Sequence, residues 1–336
     1  MGKWFLREET LNAANRALVD YHHGLDLSSV WGQGARSSSD GQRFGMQGRS
    51  LLSAFYPRYF GYYDRAVTVY THVSDQYSVF GTRVISCSPR EALYVLDGLL
   101  ENDTILRPRE HHTDTAGYIE HLFGLCYLLG YSFMPRIRDF ADQRLYKIDR
   151  SAEHGRLDVL FQGAVDVVSI REQWDSLVRL AASLRNRSAP AHVIVQRLAG
   201  GSPSDRLTKA LRALGRVVKT IYILRYIHEE DLRRKVQLQL NRGEQRHRLA
   251  RWFFFANQGE FRRADYEEIM NKASCLSLLS NATLVWNTSE IAKVVERLRA
   301  QGETIQDEDL AHIAPLICTH VVPNGTYHFE QANRGG

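Results

Sequence analysis

Cysteine and long apolar runs are both scarce in this 336-residue sequence. The four cysteines are scattered and no two form a CxxC pair, which argues against a disulfide framework or a thiolate zinc site. No segment approaches the roughly 20 apolar residues that a membrane-spanning helix needs. The start, MGKWFLREET, lacks the apolar core of a signal peptide. We therefore expect a protein of the cytoplasm that has no membrane partner.

The sequence also has no internal repeat, no low-complexity tract and no dinucleotide-binding fingerprint. The Gly-Gln-Gly run at 32–34 lacks the preceding strand and the following helix that such a fingerprint requires. With 44% hydrophobic and 24% charged residues, the chain can bury one large core, or one core plus an inserted subdomain. Lysine plus arginine number 43 against 38 for aspartate plus glutamate, a net charge of +5 that is compatible with a polyanionic partner but does not establish one.

Hydrophobic periodicity predicts a mixed α/β layer fold. A helix is predicted within the first thirty residues, and it ends near Gly24. The β-branched and aromatic runs RAVTVYTHV and YSVFGTRVIS, separated by a short polar turn, predict an antiparallel hairpin. A helix from Glu91, a second helix over 118–130 and the strand-like run YSFMPRI follow. The pattern loosens over 141–210, which we interpret as an insertion. The rest is predicted to be mostly helical, over 205–229, 231–257, 265–286 and 289–301.

Three acidic residues are candidates for a shared metal site. Asp40 lies among small polar residues, Asp114 lies directly before a helix, and Glu244 lies in a helical context. Magnesium takes hard oxygen ligands, and two such ions about 4 Å apart can serve phosphoryl transfer. The acids can meet if Asp40 and Asp114 lie on neighbouring strands and a helix brings Glu244 over them. Spacing alone leaves other roles open, because Asp114 can cap a helix and Glu244 can form a surface pair with Arg248.

Several ordered segments closely resemble the transposases of the Tn3-type (class II, replicative) transposons, and the resemblance runs from about residue 5 to THVVPNGTYHF at 319–329. It implies an α/β fold with a ribonuclease-H-like mixed sheet flanked by helices, an insertion between the second and third acidic residues, and a helical C-terminal part. The segments that carry it are SSSDGQRF, GYYDRAVTVYTHVSDQYSVFGTRVISCSPREALYVLDGLLEN, HHTDTAGYIEHLFGLCYLLGYSFMPRIRD, LRYIHEEDLRRKVQLQLNRGEQRHRLARWFFFANQGEFR and NATLVWNT.

The resemblance also implies an Asp-Asp-Glu catalytic triad. Carried over residue by residue, the triad falls on Asp40 in SSSDGQ, Asp114 in HTDTAG and Glu244 in LNRGEQRH. Glu260 in NQGEFR competes for the third place, and we prefer Glu244 because its segment has the stronger likeness. The implied cofactor is Mg²⁺, with Mn²⁺ as a substitute. The implied partners are double-stranded DNA, as transposon ends and target, and a second copy of the chain in a homodimer on DNA, which would associate the protein with the bacterial nucleoid.

Basic residues near the third acid are candidates for DNA contact. If 231–257 is a helix, His247, Arg248 and Arg251 share the face of Glu244. We predict that these residues bind nucleic acid, through contacts to phosphates that are sensitive to salt and independent of sequence. A solvated basic face is an equally good interpretation.

Two further sets of residues lie beside the aspartates. Arg43, three residues after Asp40, is predicted to contact nucleic acid, although a surface role fits as well. His111 and His112 precede Asp114, but no third His or Cys lies at a useful spacing for zinc. We expect instead a histidine that hydrogen-bonds the aspartate or a phosphate.

The resemblance implies a DNA transposase catalytic domain that nicks the 3′ end of transposon DNA and transfers the strand in replicative transposition. The alternative hypothesis is a truncated, catalytically silent remnant that binds DNA or a full-length transposase and modulates it. Family members are normally much longer, with DNA-recognising domains ahead of this part, so we do not expect this sequence alone to recognise transposon ends. The predicted division is an N-terminal helical segment (1–30), the first part of the core (31–140), the insertion (141–210), a helical part with the third acid (211–302) and a tail (303–336).

Overall fold

A mixed six-stranded sheet with helices on both faces forms the centre of the structure. The computed structural model describes residues 6–57, 64–88, 90–115, 119–202, 204–254, 259–263 and 265–326, so the ends of the predicted N-terminal segment and tail lie outside the described residues. The strands of the sheet are β1 (Arg36–Met46), β2 (Ala54–Phe55), β3 (Arg65–Ser74), β4 (Val79–Ser86), β5 (Glu110–Thr113) and β6 (Ser132–Phe133).

The pairing of these strands places β1 in the middle of the sheet. β1 pairs antiparallel with β3 and parallel with β5. The other edge of β3 pairs antiparallel with β4 and, beyond the end of β4, with the short strand β2. β5 pairs parallel with β6. The order is therefore β4-β3-β1-β5-β6, which confirms both the mixed α/β fold and the predicted hairpin.

Sequence patterning gave no strand over residues 36–46, yet this polar stretch is the longest strand of the sheet. It is stable at the centre because its side chains find partners on neighbouring elements. Ser37 Oγ lies 2.8 Å from His111 Nδ1, and Ser39 Oγ lies 2.6 Å from the Tyr70 hydroxyl. Hydrogen bonds of this kind allow small polar residues to be buried without an unsatisfied polar group.

The helices of the first half match the predicted ones. Helix α1 (Glu8–His23) ends at Gly24, as expected, and α2 (Ser28–Trp31) is a single turn. The stretch after β4 begins as a 3₁₀ turn (Glu91–Tyr94) and continues as α3 (Val95–Leu100). Helix α4 (Glu120–Leu129) ends at Gly130, whose φ of 84° is a left-handed conformation that favours glycine.

The region from 141 to 210 contains small elements of its own. Its two-stranded parallel sheet consists of β7 (Leu145–Lys147) and β8 (Phe161–Ala164). Three helices follow, α5 (Val167–Glu172), α6 (Trp174–Arg185) and α7 (Ala191–Ala199). Helix α6 packs against α4, and α7 packs against α4 and the Glu91 turn. The predicted domain boundaries, including those of an insertion here, stay predictions.

The last third is helical, as predicted, with α8 (Arg206–His228), α9 (Glu230–Phe253), α10 (Tyr266–Ala300) and a short α11 (Asp307–Leu310). The predicted break between 286 and 289 is wrong, because α10 is one helix of 35 residues. Thr288 and Ser289 donate their hydroxyls to the carbonyls of Leu284 and Val285, and the Asn287 amide donates to Pro315 O. These polar groups are thus satisfied without ending the helix.

Two apolar layers hold the sheet between helices. On one face Tyr70 and Ile85 pack into a large core with α3, α4 and α8. On the other face Val67, Val69 and Val84 pack against α9 and α10. Within the described part of the chain, no helix combines the length and the apolar character that crossing a membrane requires.

Candidate metal centre

The first two candidate acids start from adjacent positions on two neighbouring strands. In the parallel pair of β1 and β5, Ser39 is aligned with Thr113. The next residue on each strand is Asp40 and Asp114, so the two carboxylates start from neighbouring strands, which lie about 4.8 Å apart. Asp114 follows directly after the end of β5. This placement meets the condition under which the sequence predicts a shared site.

The third candidate reaches Asp40 from helix α9. Carboxylate oxygens of Asp40 and Glu244 and a ring nitrogen of His247 all lie within 4.8 Å of one another. Asp40 Oδ2 lies 3.8 Å from His247 Nδ1. Glu244 is exposed to solvent, whereas His247 is only 4% exposed. The structure therefore gathers acids from the sheet and from a helix around Asp40.

Alternate residues of β1 hold α9 in register. Ser38 Oγ donates to the carbonyl of Gln239 at 3.2 Å, and Gln42 Nε2 donates to the carbonyl of His247 at 3.0 Å. Asp40 lies between these two attachments on the same face of the strand, because side chains alternate along a strand. The two hydrogen bonds thus fix which turn of α9 stands over Asp40.

A fully buried arginine, Arg246, supports this attachment from within. Its guanidinium donates to Gln42 Oε1 at 3.2 Å and to Ser277 Oγ of α10 at 3.2 Å. Ser277 in turn lies 2.7 Å from Thr82 Oγ1 of β4. Burial lowers the pKa of Arg246 to about 10, so the group is still cationic at neutral pH. No carboxylate pairs with it in the described part of the chain, and a buried charge without a counter-ion depends on its hydrogen bonds.

The carboxyl of Asp40 is strongly perturbed. Burial and, to a smaller extent, the negative charges of Glu91, Asp114 and Glu244 together raise its pKa to about 8, against the effect of a hydrogen bond from the Gly41 amide. That amide lies 2.8 Å from Asp40 Oδ1. Four acids within electrostatic reach of one another leave the centre short of positive charge. A divalent cation would relieve this repulsion.

Glu91 is a member of the cluster that sequence reasoning missed. Its Oε1 forms an ion pair with the Arg43 guanidinium at 2.7 Å. Burial raises the pKa of Glu91, and Arg43 opposes that effect. A Cβ at Gly41 would lie 2.5 Å from Glu91 Oε1 and 2.6 Å from Thr68 Cγ2, so only glycine permits this close approach. No sequence signal marks Glu91, which looks like an ordinary acid in the first turn of a helix.

The predicted DNA-contacting residues occupy different settings. Arg248 and Arg251 are exposed, and neither forms an ion pair with any described residue, Glu244 included. Arg43 is held by Glu91 and lies over the Tyr56 ring, 4.7 Å from its centroid. His247 is buried and faces Asp40. Contact of these four residues with DNA stays a prediction.

Glu260, the competing third acid, lies elsewhere. Its carboxylate accepts a hydrogen bond of 2.8 Å from Gln47 Nε2. The adjacent Phe261 forms a bridge with Met46, the last residue of β1. Six residues of extended strand separate Met46 from Asp40, roughly 20 Å. The geometry therefore brings Glu244, and not Glu260, close to Asp40.

The two histidines before Asp114 are buried in the core, and the expectation that one of them hydrogen-bonds the aspartate or a phosphate stays a prediction. The ring nitrogens of His111 lie 2.8 Å from Ser37 Oγ and 2.8 Å from Ser39 Oγ. His112 Nδ1 lies 3.2 Å from Met134 O. Both rings are fully buried, and burial lowers the pKa of each, so they are neutral core residues.

Asp40 on the central strand, Asp114 directly after its parallel neighbour and Glu244 on a helix packed over Asp40 define a candidate divalent-metal centre within a mixed α/β fold. Comparison with known families then places the chain: residues 1–327 match the model described as the Tn3 transposase DDE domain. The chain belongs to this family, which confirms the resemblance seen in the sequence.

Curated relatives agree with the family match. The transposase for transposon Tn1546 from Enterococcus faecium is 40% identical over 98% of this chain and 33% of its own length. The transposase for transposon gamma-delta from Escherichia coli (strain K12) is 40% identical over 97% of this chain and 32% of its own length. The transposase for transposon Tn501 from Pseudomonas aeruginosa is 38% identical over 98% and 33%. The chain thus spans about a third of the length of these relatives.

Proposed function

We propose that this chain is the catalytic region of a DNA transposase that cuts the 3′ end of transposon DNA and joins the freed 3′ hydroxyl to target DNA. The observation that carries the proposal is the placement of Asp40 on β1 and Asp114 directly after the adjoining parallel strand β5, with Glu244 of α9 beside Asp40. The match to the Tn3 transposase DDE domain supports it.

We also propose that the fold is ribonuclease-H-like. In support, three antiparallel strands (β1, β3 and β4) are followed by two strands (β5 and β6) that are added parallel to β1. The first acid lies on the central strand and the second lies directly after its parallel neighbour. The third comes from a helix packed on the sheet, beyond the intervening elements between 141 and 210.

The residues of the centre fit a divalent cation. Hard carboxylate oxygens are the donors that Mg²⁺ prefers, with Mn²⁺ as a substitute. The raised pKa of Asp40 and the neighbouring negative charges show that this centre lacks positive charge. We assign Asp40, Asp114 and Glu244 as the residues that would hold it. When bound, a pair of such ions activates an attacking oxygen and stabilises a leaving one.

The chain itself would orient the reacting groups. The Gly41 amide holds Asp40 Oδ1 at 2.8 Å, which leaves Oδ2 on the side of His247, 3.8 Å away. Arg248 and Arg251, exposed on α9, would bind the phosphates that flank the reacting one, because arginine donates to phosphate in fixed, paired directions. The same reasoning assigns double-stranded DNA as the substrate. A homodimer on DNA and association with the nucleoid are further parts of the proposal.

The test is nicking of supercoiled DNA by the 336-residue chain in Mg²⁺. Asp40→Asn, Asp114→Asn and Glu244→Gln keep the shape of each side chain and remove its charge, and each should reduce nicking about 100-fold or more. Glu260→Gln is the matched control and should nick at the unmodified rate. Undiminished nicking in one of the three variants would remove that residue from the triad. Metal-dependent nicking by the unmodified chain that these three substitutions abolish would exclude the silent remnant.

A further inference from the structure

His247 is a buried imidazole without a hydrogen-bond partner in the described part of the chain. It is 4% exposed, and its Nε2 is enclosed with no partner. Its Nδ1 lies 3.8 Å from Asp40 Oδ2, which is too long for a hydrogen bond. Buried polar side chains almost always have a partner, so an unpaired ring at this position needs an explanation.

The histidine is not required to hold the helix in place. Gln42 Nε2 donates to the backbone carbonyl of His247, and the buried Arg246 beside it binds Gln42 and Ser277. These bonds anchor α9 at this turn through the backbone and the neighbouring side chain. The imidazole is therefore free to serve another purpose on the side that faces Asp40.

The donors lie at separations close to those of ligands around one ion. Ligand atoms about 2.1 Å from an octahedral ion lie roughly 3.0 Å apart when adjacent and 4.2 Å apart when opposite. The 3.8 Å between Asp40 Oδ2 and His247 Nδ1 lies between these two values, so small shifts would bring both atoms to one ion, and Glu244 offers an oxygen within 4.8 Å of both. Glu244 and His247 are also three residues apart on α9, and such a Glu-x-x-His pair on one helix face is a known way to present a carboxylate and an imidazole to the same metal.

We propose that His247 is a nitrogen ligand of the cation held by Asp40 and Glu244, bound through Nδ1. This assignment rests on the proposed metal centre and replaces a DNA contact for His247 with a role in the centre itself. Imidazole nitrogen is a softer donor than carboxylate oxygen and is bound more strongly by transition metals than by Mg²⁺. The centre should consequently favour Mn²⁺ over Mg²⁺ more strongly than a centre built from carboxylates alone.

The test uses Mn²⁺ as a paramagnetic probe of the unmodified chain. A nitrogen bound directly to Mn²⁺ gives ¹⁴N modulation in pulsed electron paramagnetic resonance, and protein labelled with [¹⁵N]histidine should lose that modulation without any mutation. His247→Asn places an amide oxygen near the position of Nδ1 and should also abolish it. His121→Asn is the matched control, because His121 is another buried histidine with an unpartnered Nε2, and its charged neighbours lie on α4 and α8. Calorimetric titration should show that His247→Asn reduces the Mn²⁺ over Mg²⁺ preference about tenfold.

The outcomes separate this inference from the proposed function. Two results would overturn the histidine ligand but leave the carboxylate centre intact. One is Mn²⁺ binding that depends on Asp40 but gives no ¹⁴N modulation. The other is ¹⁴N modulation that persists in His247→Asn. Mn²⁺ binding that is indifferent to Asp40→Asn would overturn the centre and the histidine ligand together. Loss of modulation in both the [¹⁵N]histidine protein and His247→Asn, with His121→Asn unchanged, would establish the assignment.

Discussion

Removing the charge of Asp40 should stabilise the metal-free protein at neutral pH. The folded state raises the pKa of this carboxyl from 3.8 to about 8, so the folded protein binds the proton more tightly than the unfolded chain does. The free energy of unfolding that this group contributes is therefore lost as the pH rises from about 4 towards 8. Asp40→Asn keeps the shape of the neutral form at every pH and should escape that loss.

The size of the effect follows from the shift. Each pKa unit is worth about 1.4 kcal/mol, so the full shift would amount to about 4 kcal/mol at pH 7. The Asp40 side chain is still 27% exposed, and water on that side weakens the repulsion from its neighbours. We therefore expect Asp40→Asn to raise the free energy of unfolding by about 2 kcal/mol at pH 7.

Urea unfolding in the presence of a chelator, from pH 5 to pH 9, measures this difference. The gap between Asp40→Asn and the unmodified chain should widen up to about pH 8 and then level off, while Asp26→Asn, at an exposed site, should show no such gap. Saturating Mg²⁺ should reverse the order, because only the unmodified centre gains the free energy of metal binding. A gap of equal size at pH 5 and pH 8, or a variant that is the less stable of the two at pH 7, would refute the reasoning.

Three further substitutions test other parts of the structure. Gln42→Ala removes an acceptor from a buried guanidinium and a donor to the α9 backbone, and urea unfolding should show a loss of about 3 kcal/mol. Gly215→Ala would place a Cβ 2.0 Å from the carbonyl oxygen of Glu120, so α4 and α8 must separate, and thermal unfolding should report a destabilisation of about 3 kcal/mol. Arg248→Ala should lower the slope of log affinity for DNA against log salt by about 1, whereas Arg234→Ala, which removes a residue paired with Glu230 on the same helix, should leave the slope unchanged.

Local patterning predicted the elements whose stability is local. The β3–β4 hairpin consists of β-branched and aromatic residues, and α1 ends at the glycine that the sequence offers as a stop. The resemblance supplied the three acids, and the structure brings Glu244 to Asp40 and places Asp114 on the adjoining strand. That these side chains hold metal stays a prediction.

What could not be predicted depends on partners distant in sequence. The serines of β1 have low strand propensity, and they can be buried because they form hydrogen bonds with His111, Tyr70 and Gln239. Glu91 comes within electrostatic reach of Asp40 because the missing side chain at Gly41 leaves room for it against β1. Neither fact leaves a trace in hydrophobic periodicity, which records the faces of elements and not their polar contacts.

The attachment of α9 to β1 has a consequence for how the gene can change. Gln239 is tied to the strand five residues before Glu244, and a helix turns by about 100° and advances about 1.5 Å with every residue. A single codon gained or lost between these two positions would swing the third carboxylate away from the aspartates while the upstream bond survived. The exposed turn at Asp149, by contrast, can grow by several codons with the helix phase intact. Natural variation in length should therefore accumulate in that turn and be absent from residues 240–243.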